Sequence, residues 1–271
     1  MNSGGRVGCL LAMVGLAVAC GFGVRSNAFL WWTVQHHFPS LAKLALTLGA
    51  NPNATAGWRS VLMESAYAAE TSVVEALLAR GAAVDAMDDT KRQALHHAAR
   101  NAQTDGSVVR VLLEHGANPV APQADGVTPL MLAVSALSGG TAMNAIAMIA
   151  YADDVNQRDS DGNNALWVAT TEAPIQVQRA LLRAGANPNL PNRRGGLPIE
   201  MAASNGLVDR VELLLAFGAD PNLKVGSEPS AAEIVRGSAV NASQQASFQR
   251  IAQLFETAAS RSKRQDANSR Q

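Results

Sequence analysis

One five-residue phrase returns along the chain at a nearly fixed interval. Gly49-Ala50-Asn51-Pro52-Asn53 comes back as Gly81-Ala82-Ala83-Val84-Asp85, Gly116-Ala117-Asn118-Pro119-Val120, Gly185-Ala186-Asn187-Pro188-Asn189 and Gly218-Ala219-Asp220-Pro221-Asn222. The copies start 32, 35, 69 and 33 residues apart, and the 69 spans two periods with the degenerate Ala152-Asp153-Asp154-Val155-Asn156 between them. A chain of this kind folds as similar units stacked in a row. Each unit is too small to bury its own apolar face and buries it against its neighbours instead.

The unit can be read physically. Apolar pairs stand four and three positions ahead of each Gly: Ala45 and Leu46, Leu77 and Leu78, Leu112 and Leu113, Leu181 and Leu182, Leu214 and Leu215. A helix bearing the pair ends at a Gly able to take the left-handed conformation. The Asn-Pro or Asp-Pro step then leads into an extended turn, because Pro disfavours a helical residue before it. A second phrase opens the next helix, clearest in Asp125-Gly126-Val127-Thr128-Pro129-Leu130, where a capping hydroxyl precedes Pro at the first helical position. Its relatives surround Ala94-Leu95-His96-His97, Ala165-Leu166-Trp167-Val168 and Leu197-Pro198-Ile199.

Turn, short helix, loop, longer helix and G-A-[DN]-x-N at this spacing resemble the ankyrin repeat. The resemblance runs over residues 28–260 and implies an all-α fold, a solenoid of stacked helix-turn-helix units with short β-turn fingers. About five central repeats are expected, with Phe29–Gly49 as an N-terminal cap and Glu228–Ala258 as a C-terminal one, closed by Phe248, Ile251, Leu254 and Phe255. Thr-Pro-Leu-His is nowhere intact, and only His96 keeps the His. Longer helix-helix loops are expected at Asn101–Ser107 and at Ser138-Gly139-Gly140, and a disordered tail over 261–271.

Composition narrows the function. Lys plus Arg and Asp plus Glu are both 22, so the net charge is zero, which argues against a nucleic-acid binder needing a basic face. The hydrophobic fraction of 48% argues against a disordered chain. The two cysteines, Cys9 and Cys20, both lie in the apolar N-terminal stretch, so the repeats hold no disulfide, thiolate metal site or cysteine nucleophile. His96 and His97 point about 100° apart on a helix and do not make a metal site; the resemblance gives His96 a structural role. Asp88, Asp89, Asp159 and Asp161 read as solvated turn formers. No catalytic motif is present, and no enzyme activity, cofactor, metal or small-molecule substrate is expected.

What remains is a surface. In the family, turn tips and the exposed side of the first helices line a concave face. Register places Glu64, His97, Leu132, Val168 and Met201 in one column of that face and Tyr67, Arg100, Ser135, Thr171 and Ser204 in a second. Trp167 lies beside the first. Exposed apolar and aromatic side chains in a row mark an interaction site. Glu64, Tyr67, His97, Arg100, Leu132, Trp167, Val168 and Met201 are therefore the candidate partner-binding residues, and the partner expected is a protein. An enzyme or ligand carrier would instead need Glu64, His97 and Arg100 to converge.

The N-terminus is expected to carry a targeting signal within residues 1–27. Val7 to Val24 is eighteen residues without a charge after Arg6. Four readings stand: a retained signal anchor, a cleaved signal at Ala17-Val18-Ala19, a lipoprotein signal with Cys20 as the lipidated residue, and a buried helix with no targeting role. The three export readings put the repeats outside the cytoplasm, at the cell envelope, exported to the periplasm or held at the membrane. Family resemblance adds the expectation of a binding scaffold that neutralises an effector, with a stabiliser of a membrane complex as the alternative.

Overall fold

In the computed structural model the described residues are 26–100, 106–135, 139–237 and 245–268. The N-terminal run Val7–Val24 and Cys20 lie outside them, as do most of Asn101–Ser107 and the end of the tail. Among the described residues no helix is long and apolar enough to cross a membrane. The fold is predominantly helical, as the repeat predicts. The helices are α1 (Asn27–Gln35), α2 (Pro39–Thr47), α3 (Val61–Tyr67), α4 (Thr71–Leu78), α5 (Ala94–Ala99), α6 (Ser107–Glu114), α7 (Pro129–Ser135), α8 (Gly139–Ala150), α9 (Ala165–Ala169), α10 (Ile175–Arg183), α11 (Pro198–Ser204), α12 (Val208–Ala216), α13 (Ala231–Gly237) and α14 (Gln245–Asn268). Two strands, β1 (Thr55–Ala56) and β2 (Arg59–Ser60), pair antiparallel with Thr55 opposite Ser60.

The helices fall into two compact units, one running to Ala133 with Ser138–Ala152, the other comprising Val134–Leu137 and Asp153 onward. In the first unit α1, α3 and α5 pack on one another and α2, α4, α6 and α8 form a second row. In the second unit α11 packs on α13, and α12 packs between α10 and α14. Leu77, Leu112, Leu181 and Leu214 are fully buried. Each removes apolar surface worth about 1.5–3 kcal/mol. Phe248, Ile251 and Phe255 close the second unit as expected, while Leu254 is half-buried.

The recurring phrase builds three linked hydrogen-bond devices. Its five glycines all take positive φ, from 81° to 101°. The N–H of the next Ala then returns to a carbonyl five residues back: Ala50 to Ala45, Ala82 to Leu77, Ala117 to Leu112, Ala186 to Leu181 and Ala219 to Leu214, all at 3.0–3.1 Å. That bond satisfies a carbonyl orphaned at the helix end. The following Asn or Asp spans the Pro: its Oδ1 accepts from the N–H two residues on, as in Asn51 to Asn53, Asn118 to Val120, Asn187 to Asn189 and Asp220 to Asn222. The final Asn reaches into the next repeat. Asn53 Nδ2 donates to Gly81 O at 3.2 Å while Ala83 N donates to Asn53 Oδ1 at 2.7 Å. Asn189 does the same with Gly218 and Asp220. The degenerate copy keeps both polar devices, since Asp154 accepts from Asn156 N and Asn156 clamps Gly185 and Asn187.

Helix starts follow the expected capping logic. Thr128 Oγ1 accepts from Met131 N at 3.2 Å, with Pro129 first in α7, and Ser60 and Asn164 cap α3 and α9 through Met63 N and Trp167 N. Two expectations are corrected. Gly139 and Gly140 form the first turn of α8 and not a loop. The last helix continues to Asn268, past the Ser260 at which a disordered tail was expected; Arg261–Asn268 contains no Gly or Pro to stop it.

Candidate partner-binding surfaces

The fingers are organised by their tips. Asp88 N donates to Arg92 O, Gln123 N to Val127 O, Asp159 N to Asn163 O and Asn192 N to Gly196 O. Three of these residues also use the side chain: one oxygen each of Asp88, Asp159 and Asn192 accepts from the main-chain N–H two and four residues on. Adjacent fingers are tied by Ala124 N to Thr90 O in the first unit and Arg193 N to Asp161 O in the second. The fingers are thus fixed platforms for the side chains on them.

In the first unit, Glu64 and Tyr67 on α3 meet two residues that the register-based columns omit, Trp58 and Arg59 of the first finger. Arg59 Nη1 lies 2.7 Å from Glu64 Oε2. Its guanidinium carbon is 4.8 Å from the Trp58 ring centre and 5.8 Å from that of Tyr67. A guanidinium between two rings and tied to a carboxylate is held in one orientation, at about 0.5–1 kcal/mol per exposed cation–π contact. Trp58, Tyr67 and Met87, the last at the next fingertip, are 50%, 54% and 57% exposed. Trp58 and Tyr67, half in water around one guanidinium, form a patch suited to burial by a partner, with Met87 exposed at the next fingertip. A shift of one period back from Met87–Thr90 would have located this finger in the sequence.

His97 is placed differently from expectation. It is buried, not part of the exposed column, and its Nε2 sits 3.3 Å from Asp88 Oδ2. Asp88, expected to be a solvated turn former, is buried too and also accepts from the Thr90 hydroxyl and from the N–H groups of Thr90 and Arg92. Burial raises the Asp88 carboxyl, but those hydrogen bonds reverse the effect and hold it below the usual range. Burial, and then the positive charge of Arg59, keeps the His97 imidazole below its ordinary value. The pair pins the finger to α5. His96 is fully buried, and its Nδ1 accepts from Gln93 N at 3.1 Å. Arg100 is exposed at the end of α5, Glu64 is bound to Arg59, and no hydrogen bond joins Glu64, His97 and Arg100. Leu132 is half-buried. Among the described residues no group of three or more His, Cys, Asp or Glu side chains is placed to hold a metal ion.

In the second unit, Trp167 and Met201 line one groove of about 480 Å³ between the fingers and the first helices. Both are half-buried, as is Val168 beside them. Glu200 and Glu228 also line the groove and were not among the expected residues. Glu200 belongs to the start of α11, where its Oε2 accepts from Leu197 N at 2.8 Å. A larger cavity, about 730 Å³, lies between α12 and α14, and none of the expected residues lines it.

Comparison with known proteins matches this architecture. The family model described as ankyrin repeats in three copies matches residues 30–123 and 62–150. A many-copy ankyrin model matches 181–235, and a single ankyrin repeat matches 161–193. Together the matched stretches cover well over half of the chain. Similar relatives include the human transient receptor potential cation channel subfamily A member 1, 32% identical over 49% of this chain and 11% of the channel. Mouse ankyrin repeat and SOCS box protein 16 is 30% identical over 58% of this chain and 43% of its own length. The human BCL-6 corepressor-like protein 1 is 32% identical over 38% of this chain and 6% of its own. The matches therefore span less than half of each of these relatives.

Proposed function

The chain belongs to the ankyrin-repeat family, and from that premise we propose that it is a non-enzymatic scaffold that binds a protein partner through its fingers and first helices. The observation that carries the reading is the patch of Trp58 and Tyr67, half exposed around the fixed Arg59, with Met87 exposed at the next fingertip. Rigid aromatic side chains beside a preorganised guanidinium are the composition of interface hot spots. The relatives support a general binding module: the repeat segment recurs in proteins as unlike as a cation channel and a corepressor.

The proposal extends to location. The eighteen uncharged residues after Arg6 support a chain exported to the envelope, with Val7–Val24 as anchor or Cys20 as lipid carrier. A retained anchor would equally serve a stabiliser of a membrane complex. The narrower form, occlusion of an effector, requires the partner to be an enzyme whose activity falls when this chain is added. The test is crosslinking and capture from the native membrane fraction with the full chain and with a Trp58→Ala/Tyr67→Ala variant. The expected result is a partner retained by the native chain and depleted about tenfold or more by the variant, at unchanged melting temperature. Equal retention by a folded variant would remove this surface from the reading.

A further inference from the structure

The groove of the second unit has an electrostatic demand that its own residues do not meet. Its rim and wall carry three carboxylates, Asp161, Glu200 and Glu228, against one guanidinium, Arg194. Glu200 is only 8% exposed, and while its Oε2 is bonded to Leu197 N, its buried Oε1 has no hydrogen-bond partner. Burial, then the negative charge of Glu228, holds the Glu200 carboxyl above the usual carboxylate range. A buried acceptor left unbonded is a net cost to the fold. The apolar side of the groove is Trp167, Met201 and Pro229. An aliphatic stem ending in a cation fits both halves, since long basic side chains lay their methylenes on apolar surface and carry the charge at the tip.

We propose that this groove receives a lysine or arginine side chain of a basic partner segment, its stem along Trp167, Met201 and Pro229 and its cationic head against the carboxylates of Glu200 and Glu228. This rests on the scaffold reading above and specifies the partner's chemistry at one point. The charge of the occupant follows from complementarity: an acidic side chain would add a fourth anion, and an apolar one would leave Glu200 unpaired. Among the described residues lining the groove Arg194 is the one cation, and its removal would leave the three carboxylates to the incoming one.

The test uses the full chain and random octapeptide pools with a fixed central Arg, Lys, norleucine or Glu. The Arg and Lys pools should bind about tenfold tighter than the other two, roughly 1.4 kcal/mol. They should also shift the indole N–H resonance that Trp167→Phe removes. Glu200→Gln keeps an acceptor for Leu197 N, so the double variant with Glu228→Gln should fold and lose the basic preference. Glu228→Gln alone, at an exposed position, should lose part of it, and Arg194→Ala should strengthen it. No preference for basic pools, no binding by any pool, or a preference that survives loss of both carboxylates would overturn the proposal. Failure here is distinct from failure of the scaffold reading, whose capture experiment alters Trp58 and Tyr67 in the other unit.

Discussion

Replacing Asn189 by Ala removes both bonds by which one repeat holds the next, Nδ2 to Gly218 O at 2.9 Å and Asp220 N to Oδ1 at 2.8 Å. An intramolecular hydrogen bond nets about 0.5–1.5 kcal/mol. Gly218 and Asp220 are exposed, so water can satisfy the orphaned atoms and the lower half of that range applies. The expected loss for the two bonds is therefore about 1–2 kcal/mol. Asn222 is the matched control: it holds the same place in the last copy of the phrase, and no clamp forms from its side chain. Asn222→Ala should change stability by less than about 0.5 kcal/mol, the usual range for a surface substitution. Urea denaturation followed by helical circular dichroism would show a midpoint lowered by about 0.5–1 M for Asn189→Ala if the slope is about 2 kcal/mol/M. Native-state hydrogen exchange should show faster exchange of the Asp220 amide. Equal midpoints for the two variants would refute the view that the clamp couples repeats.

Leu181→Ala should cost about 2–5 kcal/mol, since the side chain is fully buried in α10; Ser160→Ala, at an exposed fingertip, should stay within about 0.5 kcal/mol, and similar denaturation midpoints would show the register to be wrong. His96 is held by burial at about 4 against its usual 6.5, so the unfolded chain takes up a proton first as pH falls. The native state keeps its full advantage above 6.5 and loses roughly 1.4 kcal/mol per unit down to about 4; His97, also depressed, acts in the same direction, and a stability profile flat between pH 7 and 4 would contradict this.

The sequence made the Gly, the Pro step and the Leu pairs readable because each acts within a few residues. The role of the final Asn was not readable. Its partners are main-chain atoms about 30 residues on, which carry no side-chain signature. His97 was misplaced because counting by period sets a residue on a helix face but says nothing of the finger above it. There the buried Asp88 takes up Nε2. Glu200 was passed over for a related reason: as a residue in the first turn of α11 it reads as a cap, and one oxygen does cap. Only the surroundings of the other oxygen, with Glu228 brought near from the next finger, expose it as a possible contact.

The Asn clamp also bears on how such a chain can grow. It recognises a carbonyl of Gly and a main-chain N–H, and that N–H belongs to Ala83 in one copy, Asn187 in another and Asp220 in a third. Nothing in the joint inspects the neighbour's side chains. A duplicated or deleted period would meet the same two atoms at the same place, so the joint tolerates changes in repeat number. The exposed residues of each copy are then at liberty to diverge toward different ligands while the seam between copies stays the same.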